Sequence, residues 1–222
     1  AVGTLVGSIL ALLALVCNEL LLAPPLVAAA LLTFWIVITG AIHLDGLMDT
    51  ADGVFSHRSR ERMLEIMKDP RAGNFGVVSG VLIILLKFAA LLSLNWHWIF
   101  ASLLLIPGWA RWSEVIAIKY FPYAREEGMG KIWHISTGKF DLLISAIAPL
   151  MVSLFFCYDS NSFIYLWLIP LTVLPGLLAS MWINKVLGGQ TGDSYGANVE
   201  VSEAAGLIGA SLLYANLHAI CN

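Results

Sequence analysis

The residues best equipped for chemistry are the run His43-Leu-Asp-Gly-Leu-Met-Asp-Thr-Ala-Asp-Gly53, which sets Asp45, Asp49 and Asp52 at i, i+4 and i+7. On an α-helix that spacing puts all three carboxylates on one stripe. Stacked like charges repel, so a cation or protein base belongs among them. Oxygen-only ligands favour Mg²⁺ over zinc. Gly46 and Gly53 remove bulk beside the acids, which lets a phosphate or sugar approach the backbone. Acids that merely end a membrane helix and face water would account for one Asp better than for three on one face, because acid clusters in or beside a membrane mark function.

Three further stretches carry compatible groups. Tyr123-Ala-Arg-Glu-Glu-Gly-Met-Gly-Lys131 has Gly128 and Gly130 between Arg125 and Lys131, a composition that suits a backbone wrapped around a phosphate. It is not a Walker loop, since no GxxxxGK[ST] occurs. Leu187 to Glu203 repeats the style of the first motif. A helix starting near Asp193 would align Asp193, Gly196 and Glu200, and Thr191 or Asp193 would serve as its N-cap. Arg111, inside an apolar span with Glu114 three residues on, is expensive unless it binds substrate or a carboxylate. Together Asp45, Asp49, Asp52 and Asp193 suit divalent cations, and Arg111 and Arg125 suit phosphate oxygens. That is equipment for phosphoryl transfer, which needs charge neutralisation and in-line positioning. His43 or Asp52 would take the proton of a hydroxyl acceptor.

The elements that must position these groups are membrane helices. Of 222 residues, 59% are hydrophobic and 12% charged, beyond the apolar share of an ordinary soluble domain. The net charge of −3 argues against a nucleic-acid face. The chain opens at Ala1 inside an apolar run and does not read as a secretory signal. Cys17, Cys157 and Cys221 are isolated and match no metal spacing. Apolar periodicity and length predict about seven spans, near 2–22, 26–44, 74–94, 98–118, 142–157, 163–183 and 201–220. The fifth, holding Pro149, is short enough to be tilted or broken.

Ten of the twelve Lys and Arg fall in the loops 48–72, 119–141 and 184–200, which the positive-inside rule places in the cytoplasm together with every motif above. Ser56 to Met67 predicts a short amphipathic interfacial helix. Asp69-Pro70 predicts the N-cap of the third span, and Lys87 an ion pair with Glu19 or a snorkelling position. The fold class expected is therefore an all-α polytopic bundle forming one integral membrane catalytic domain over 1–222.

The segments HLDGLMDTADGVFSHRSRERMLEIMKD, RAGNFG, YAREEGMG and GGQTGDSYGA, in this order between apolar spans, closely resemble the cobalamin synthase family, adenosylcobinamide-GDP ribazoletransferase. The resemblance covers nearly the whole chain. It implies an enzyme of a prokaryotic inner membrane, a transferase of a substituted phosphate group. A hydroxyl of α-ribazole, or of its 5′-phosphate, would attack the cobinamide-linked phosphate of adenosylcobinamide-GDP. The products implied are adenosylcobalamin, or its 5′-phosphate, and GMP, with Mg²⁺ as cofactor.

The family's acidic motif falls on Asp45, Asp49 and Asp52, its arginine loop on Arg125, Gly128 and Gly130, and its late motif on Thr191, Gly192 and Asp193. Met48 and Met129 stand where smaller or branched apolar residues are expected, and a further N-terminal segment found in the family is missing here. Substrate partners and the lipid bilayer are implied, nucleic acid is not, and an oligomer is compatible with the pattern. The acids also look like the CDP-alcohol phosphotransferase signature, but Gly53-Val-Phe-Ser-His lacks its Ala-Arg pair. A cation transporter, the remaining class, would need carboxylates at mid-membrane depth.

Overall fold

A computed structural model describes residues 2–221. Among the described residues, ten α-helices follow one another: α1 (Val2–Glu19), α2 (Pro24–Ile38), α3 (Ile42–Val54), α4 (Arg60–Ile66), α5 (Asn74–Leu92), α6 (Trp96–Tyr120), α7 (Met129–Ser136), α8 (Lys139–Asp159), α9 (Leu168–Leu187) and α10 (Gly192–Cys221), with a 3₁₀ turn at Phe163–Trp167 before α9. The described residues hold no strand, only an isolated parallel bridge between Tyr123 and Gln190.

Among the described residues, five helices are long and apolar enough to cross a membrane: α1, α5, α6, α8, and α9 with its 3₁₀ lead-in. Over the expected span 26–44, α2 and α3 pass the same test together as a sixth, broken span, bent by 85°. Gly40 and Ala41 both have left-handed backbone, with φ of 61° and 56°, and two such residues in succession turn the chain too sharply for a continuous helix. α3, which carries the acidic stripe, therefore leaves the line of α2. The expected span 201–220 lies within α10, which is not among the five. α10 packs against α9, α3, α6 and α5, and its Asn198, Glu200, Ser202 and Glu203 face those helices, so the helix has no need of the apolar surface that lipid demands. Pro149 does not break α8, which runs unbroken through 21 residues.

The core joins Leu10 and Ala14 of α1, Leu31 and Trp35 of α2, Ile106 of α6 and Leu207 of α10. Against it lies a set of buried charges that corrects the expected pairing of Lys87. Its ammonium is 2.6 Å from both Glu200 and Glu203 and stands over the Trp35 ring at 5.0 Å, nowhere engaged with Glu19. Glu203 also pairs with Arg111. Glu200 and Glu203 thus do lie inside the bundle, but two cations neutralise them, so this pair offers no free acid to a cation path.

The amphipathic helix forms as α4, capped by Ser59, whose hydroxyl accepts from the Arg62 amide. Asp69 does not cap α5. Its carboxylate is taken by the backbone and guanidinium of Arg71, and this contact holds it at about 2, well below the ordinary carboxylate range. The N-cap of α5 is Gly73, and its amides are met from a distance by Asp52. Cys17 and Cys157 are buried and free. The side chain of Cys221 lies outside the described residues.

Candidate active site

The acidic stripe acquires its geometry from the crossing of α3 with the start of α10. Gly46 makes that crossing close: a Cβ there would stand 2.6 Å from the Asp193 carbonyl oxygen and 3.1 Å from its Cα. One turn farther on, Gly196 rests on the backbone of His43. Two glycines on facing helices allow backbone-to-backbone approach, and the approach carries Asp193 to the acids of α3. Asp49 lies close enough to Asp45, Asp193 and Asp52 for all three charges to repel its own.

The beginning of α10 is held from three sides. Thr191 caps it, with its hydroxyl accepting from the Ser194 amide at 3.1 Å while the Ser194 hydroxyl accepts from the Thr191 amide at 2.7 Å. Gln190, fully buried, donates to the Ser180 carbonyl of α9 and accepts from the Ser194 hydroxyl, both at 2.7 Å. Its backbone ties down the loop after α6, through Gln190 to the Pro122 carbonyl and Ala124 to the Gln190 carbonyl, each 2.7 Å. That tether brings the Arg125 guanidinium to 2.8 Å from the Asp193 carboxylate.

Gly128 has φ of +132°, a conformation that side chains resist, and this lets the loop fold over the Tyr123 hydroxyl. Gly130 passes close to the Tyr123 ring and the Gly192 amide. Burial raises the Tyr123 phenol above its ordinary value, with Arg125 opposing and Asp193 adding to the shift.

These groups surround a chain of cavities. A 240 Å³ cavity is bounded by Asp45, Asp193, Arg125, His43 and Glu114, with Gly128 and Gly130 in its wall. Asp45 also borders a 300 Å³ cavity containing Asp49 and Lys68. Beyond that, a 760 Å³ surface cavity is lined by Arg58, Arg62 and Arg71. On the other side, His43 and Glu114 are shared with an apolar cavity of 610 Å³.

The structure thus brings Asp45, Asp49, Asp193, Arg125, Gly128, Gly130 and His43 to one place. Three expected site residues are engaged otherwise. Both oxygens of Asp52 accept from α5 amides, at 2.7 Å from Gly73 and 2.8 Å from Gly76. Thr191 is buried as the cap of α10, and Glu200 is turned inward to Lys87. Arg111 reaches the site through His43, with its guanidinium 3.3 Å from Nδ1. Glu114, Lys68 and Trp133 border the cavities without having been singled out. Glu114 alone carried a signal, its place one turn from Arg111.

Among the described residues, no three His, Cys, Asp or Glu side chains converge as a ready-made metal cage. The donor set still fits a hard divalent ion. Mg²⁺ typically takes one or two carboxylates and completes its shell with water and substrate phosphate oxygens. Among the described residues, Asp45 and Asp49 make no side-chain hydrogen bond or ion pair, and Arg125 is the only side chain ion-paired to this group of acids.

The cobalamin-5-phosphate synthase family model matches residues 1–211. An adenosylcobinamide-GDP ribazoletransferase of Desulfitobacterium hafniense is 41% identical over 204 residues, covering 86% of this chain and 76% of the relative. One of Synechococcus elongatus is 40% identical over 208 residues, 90% of this chain and 81% of the relative. One of Trichormus variabilis is 37% identical over 207 residues, with coverage of 91% and 81%. No solved structure matches.

Proposed function

The chain belongs to the cobalamin-5-phosphate synthase family, and from that premise we propose that it joins adenosylcobinamide-GDP to α-ribazole or α-ribazole 5′-phosphate, with release of GMP. The observation that carries the reading is the meeting of Asp193 with Asp45 and Asp49 beside Arg125, on the border of one cavity system. Asp45 and Asp49 would hold Mg²⁺ against the diphosphate, with Asp193 beside them on Arg125. When bound, the ion supplies neutralisation of the charge that builds on the phosphate oxygens. Arg125 is placed to exchange Asp193 for a phosphate oxygen, and the glycine-bearing loop to close over it.

Asp52 acts by holding the start of α5 against α3, which fixes the direction of the acidic stripe. The 760 Å³ cavity continues from the acids, and Arg58 in its wall, beside the Arg62–Glu65 and Arg71–Asp69 pairs, would meet the remaining anionic part of a nucleotide substrate. The concentration of Lys and Arg in the loops that bear these motifs supports an inner-membrane enzyme with its site on the cytoplasmic side.

Purified protein in nanodiscs is expected to release GMP only when adenosylcobinamide-GDP, α-ribazole and Mg²⁺ are all present. Chelation should stop turnover and added Mg²⁺ restore it. Asp45→Asn and Asp49→Asn should each lower kcat by at least about 100-fold while inserting normally, in line with the loss of a charge acting in the transition state. Undiminished turnover in both would remove the acidic face from the reaction.

A further inference from the structure

We propose that the 610 Å³ cavity between α1, α6, α8 and the turn from α2 to α3 receives the aromatic base of the ribazole acceptor, and that Glu114 takes the proton of its attacking hydroxyl. The inference rests on the ribazoletransferase reading and adds to it the seat of the second substrate and the fate of its proton.

The cavity walls select the ligand. Thr39, Trp112 and Ser145 donate to backbone carbonyls of their own or a neighbouring helix, Asp141 caps α8, and His43 and Arg111 engage each other. Glu114 is the exception: it lies beside Arg111, yet Arg111 pairs with Glu203, and Glu114 makes no hydrogen bond among the described residues. The ligand that fits is therefore a mostly apolar body with a hydroxyl at one end. A benzimidazole nucleoside has that form. A corrin edged with amides, or a guanine, would bury polar groups against walls whose own are already used. The volume lies within the ~300–1,000 Å³ usual for small-molecule sites.

Glu114 and His43 form the boundary with the 240 Å³ cavity that holds Asp45, Asp193 and Arg125. A base seated in the apolar cavity thus directs its ribose at the diphosphate. Of the other proton acceptors, His43 is engaged. A guanidinium can only donate, so the bond from Arg111 makes Nδ1 the acceptor and leaves the ring proton on Nε2. His43 then donates to the incoming ribose. Asp52 has both oxygens on α5 and does not border this cavity.

In the step, the ribose oxygen bonds to the cobinamide-linked phosphorus and its proton passes to the Glu114 carboxylate. The bond from that phosphorus to the bridging oxygen of GMP breaks, and GMP leaves with the electron pair. Glu114 returns its proton to water as product departs.

The test uses the full chain in nanodiscs and follows α-ribazole binding by quenching of Trp112, with Trp112→Phe as the blank, alongside GMP release. Ser145→Trp and, independently, Ile144→Trp fill the cavity. Each is expected to raise the KM for α-ribazole at least tenfold and leave that for adenosylcobinamide-GDP within about threefold. Glu114→Gln is expected to lower kcat by about 100-fold or more, keep α-ribazole affinity within threefold, and be partly rescued by Glu114→Asp. Unchanged α-ribazole affinity in the inserted filling variants, or wild-type turnover in Glu114→Gln, overturns the proposal. Wild-type protein that quenches with α-ribazole yet releases no GMP would instead defeat the reaction reading and leave the cavity assignment standing.

Discussion

Replacing Gly46 by Ala tests whether the crossing of α3 and α10 sets the spacing of the carboxylates. The added methyl would stand 2.6 Å from the Asp193 carbonyl oxygen, with Asp193 Cα and C at 3.1 and 3.2 Å. All three obstructing atoms are backbone, so no rotamer change relieves the contact. To reach ordinary separation the helices must part by roughly 1 Å, the scale at which misplacement of reacting groups costs about 100-fold in rate. That corresponds to about 2.7 kcal/mol of transition-state stabilisation.

Overpacking itself should destabilise the fold by about 1–3 kcal/mol, so kcat must be referred to the folded fraction, measured by thermal unfolding of the same sample. Gly80→Ala is the control. Its new methyl meets Met48 Sδ and Cγ at 3.1 and 3.2 Å, the far end of a flexible side chain that can turn away. We expect Gly46→Ala to fold and lose about 100-fold in kcat for GMP release, with Gly80→Ala within a few-fold of wild type. Wild-type kcat in folded Gly46→Ala would refute the reasoning, because the carboxylates would then tolerate a displacement the contact makes unavoidable.

Two further outcomes follow from the buried charges. Lys87→Met leaves Glu200 without its ion-pair partner and Glu203 with Arg111 alone, and should cost about 3–5 kcal/mol of stability. Thermal unfolding in detergent measures it, and adding Glu200→Leu should recover part of the loss. Asp52→Asn keeps one of two acceptors and turns an amide toward the other N–H, so the start of α5 should loosen by about 1–3 kcal/mol. Faster hydrogen exchange at Gly73 to Val77 would register it.

The acidic stripe was legible because helical period is local: i, i+4 and i+7 share a face wherever the helix goes. What that face meets is not local. Asp52 follows the same arithmetic as Asp45, yet its position at the far end of α3 puts it over the start of α5, where free amides claim it. Gly46 and Gly196 could be read from sequence only as room for something, since the close approach becomes visible once α3 and α10 cross. Gln190 had no evident work in the sequence because it binds a carbonyl ten residues upstream, across a helix end. Lys87 was matched with Glu19 on hydropathy depth, which knows how far along a span a residue sits but not which helices adjoin it. The count of about seven spans stands one or two above the five or six that qualify for a related reason: hydropathy measures fitness for lipid, and α10 meets mostly protein.

That misjudged helix explains why charge is kept inside the bundle. Lys87 of α5 and Arg111 of α6 both bind α10, at Glu200 and Glu203. These glutamates lie two to three turns beyond Asp193, about 10–15 Å at 1.5 Å per residue. Apolar ridges would hold α10 almost as well one turn along, and such a slip would carry Asp193 about 5.4 Å from the α3 acids. Buried ion pairs forbid it, because any other register strands charges in a low dielectric. The Lys87→Met, Glu200→Leu double variant separates the two effects. If register is what the charges secure, stability returns and turnover does not. Turnover that returns in step with stability would reduce the network to packing.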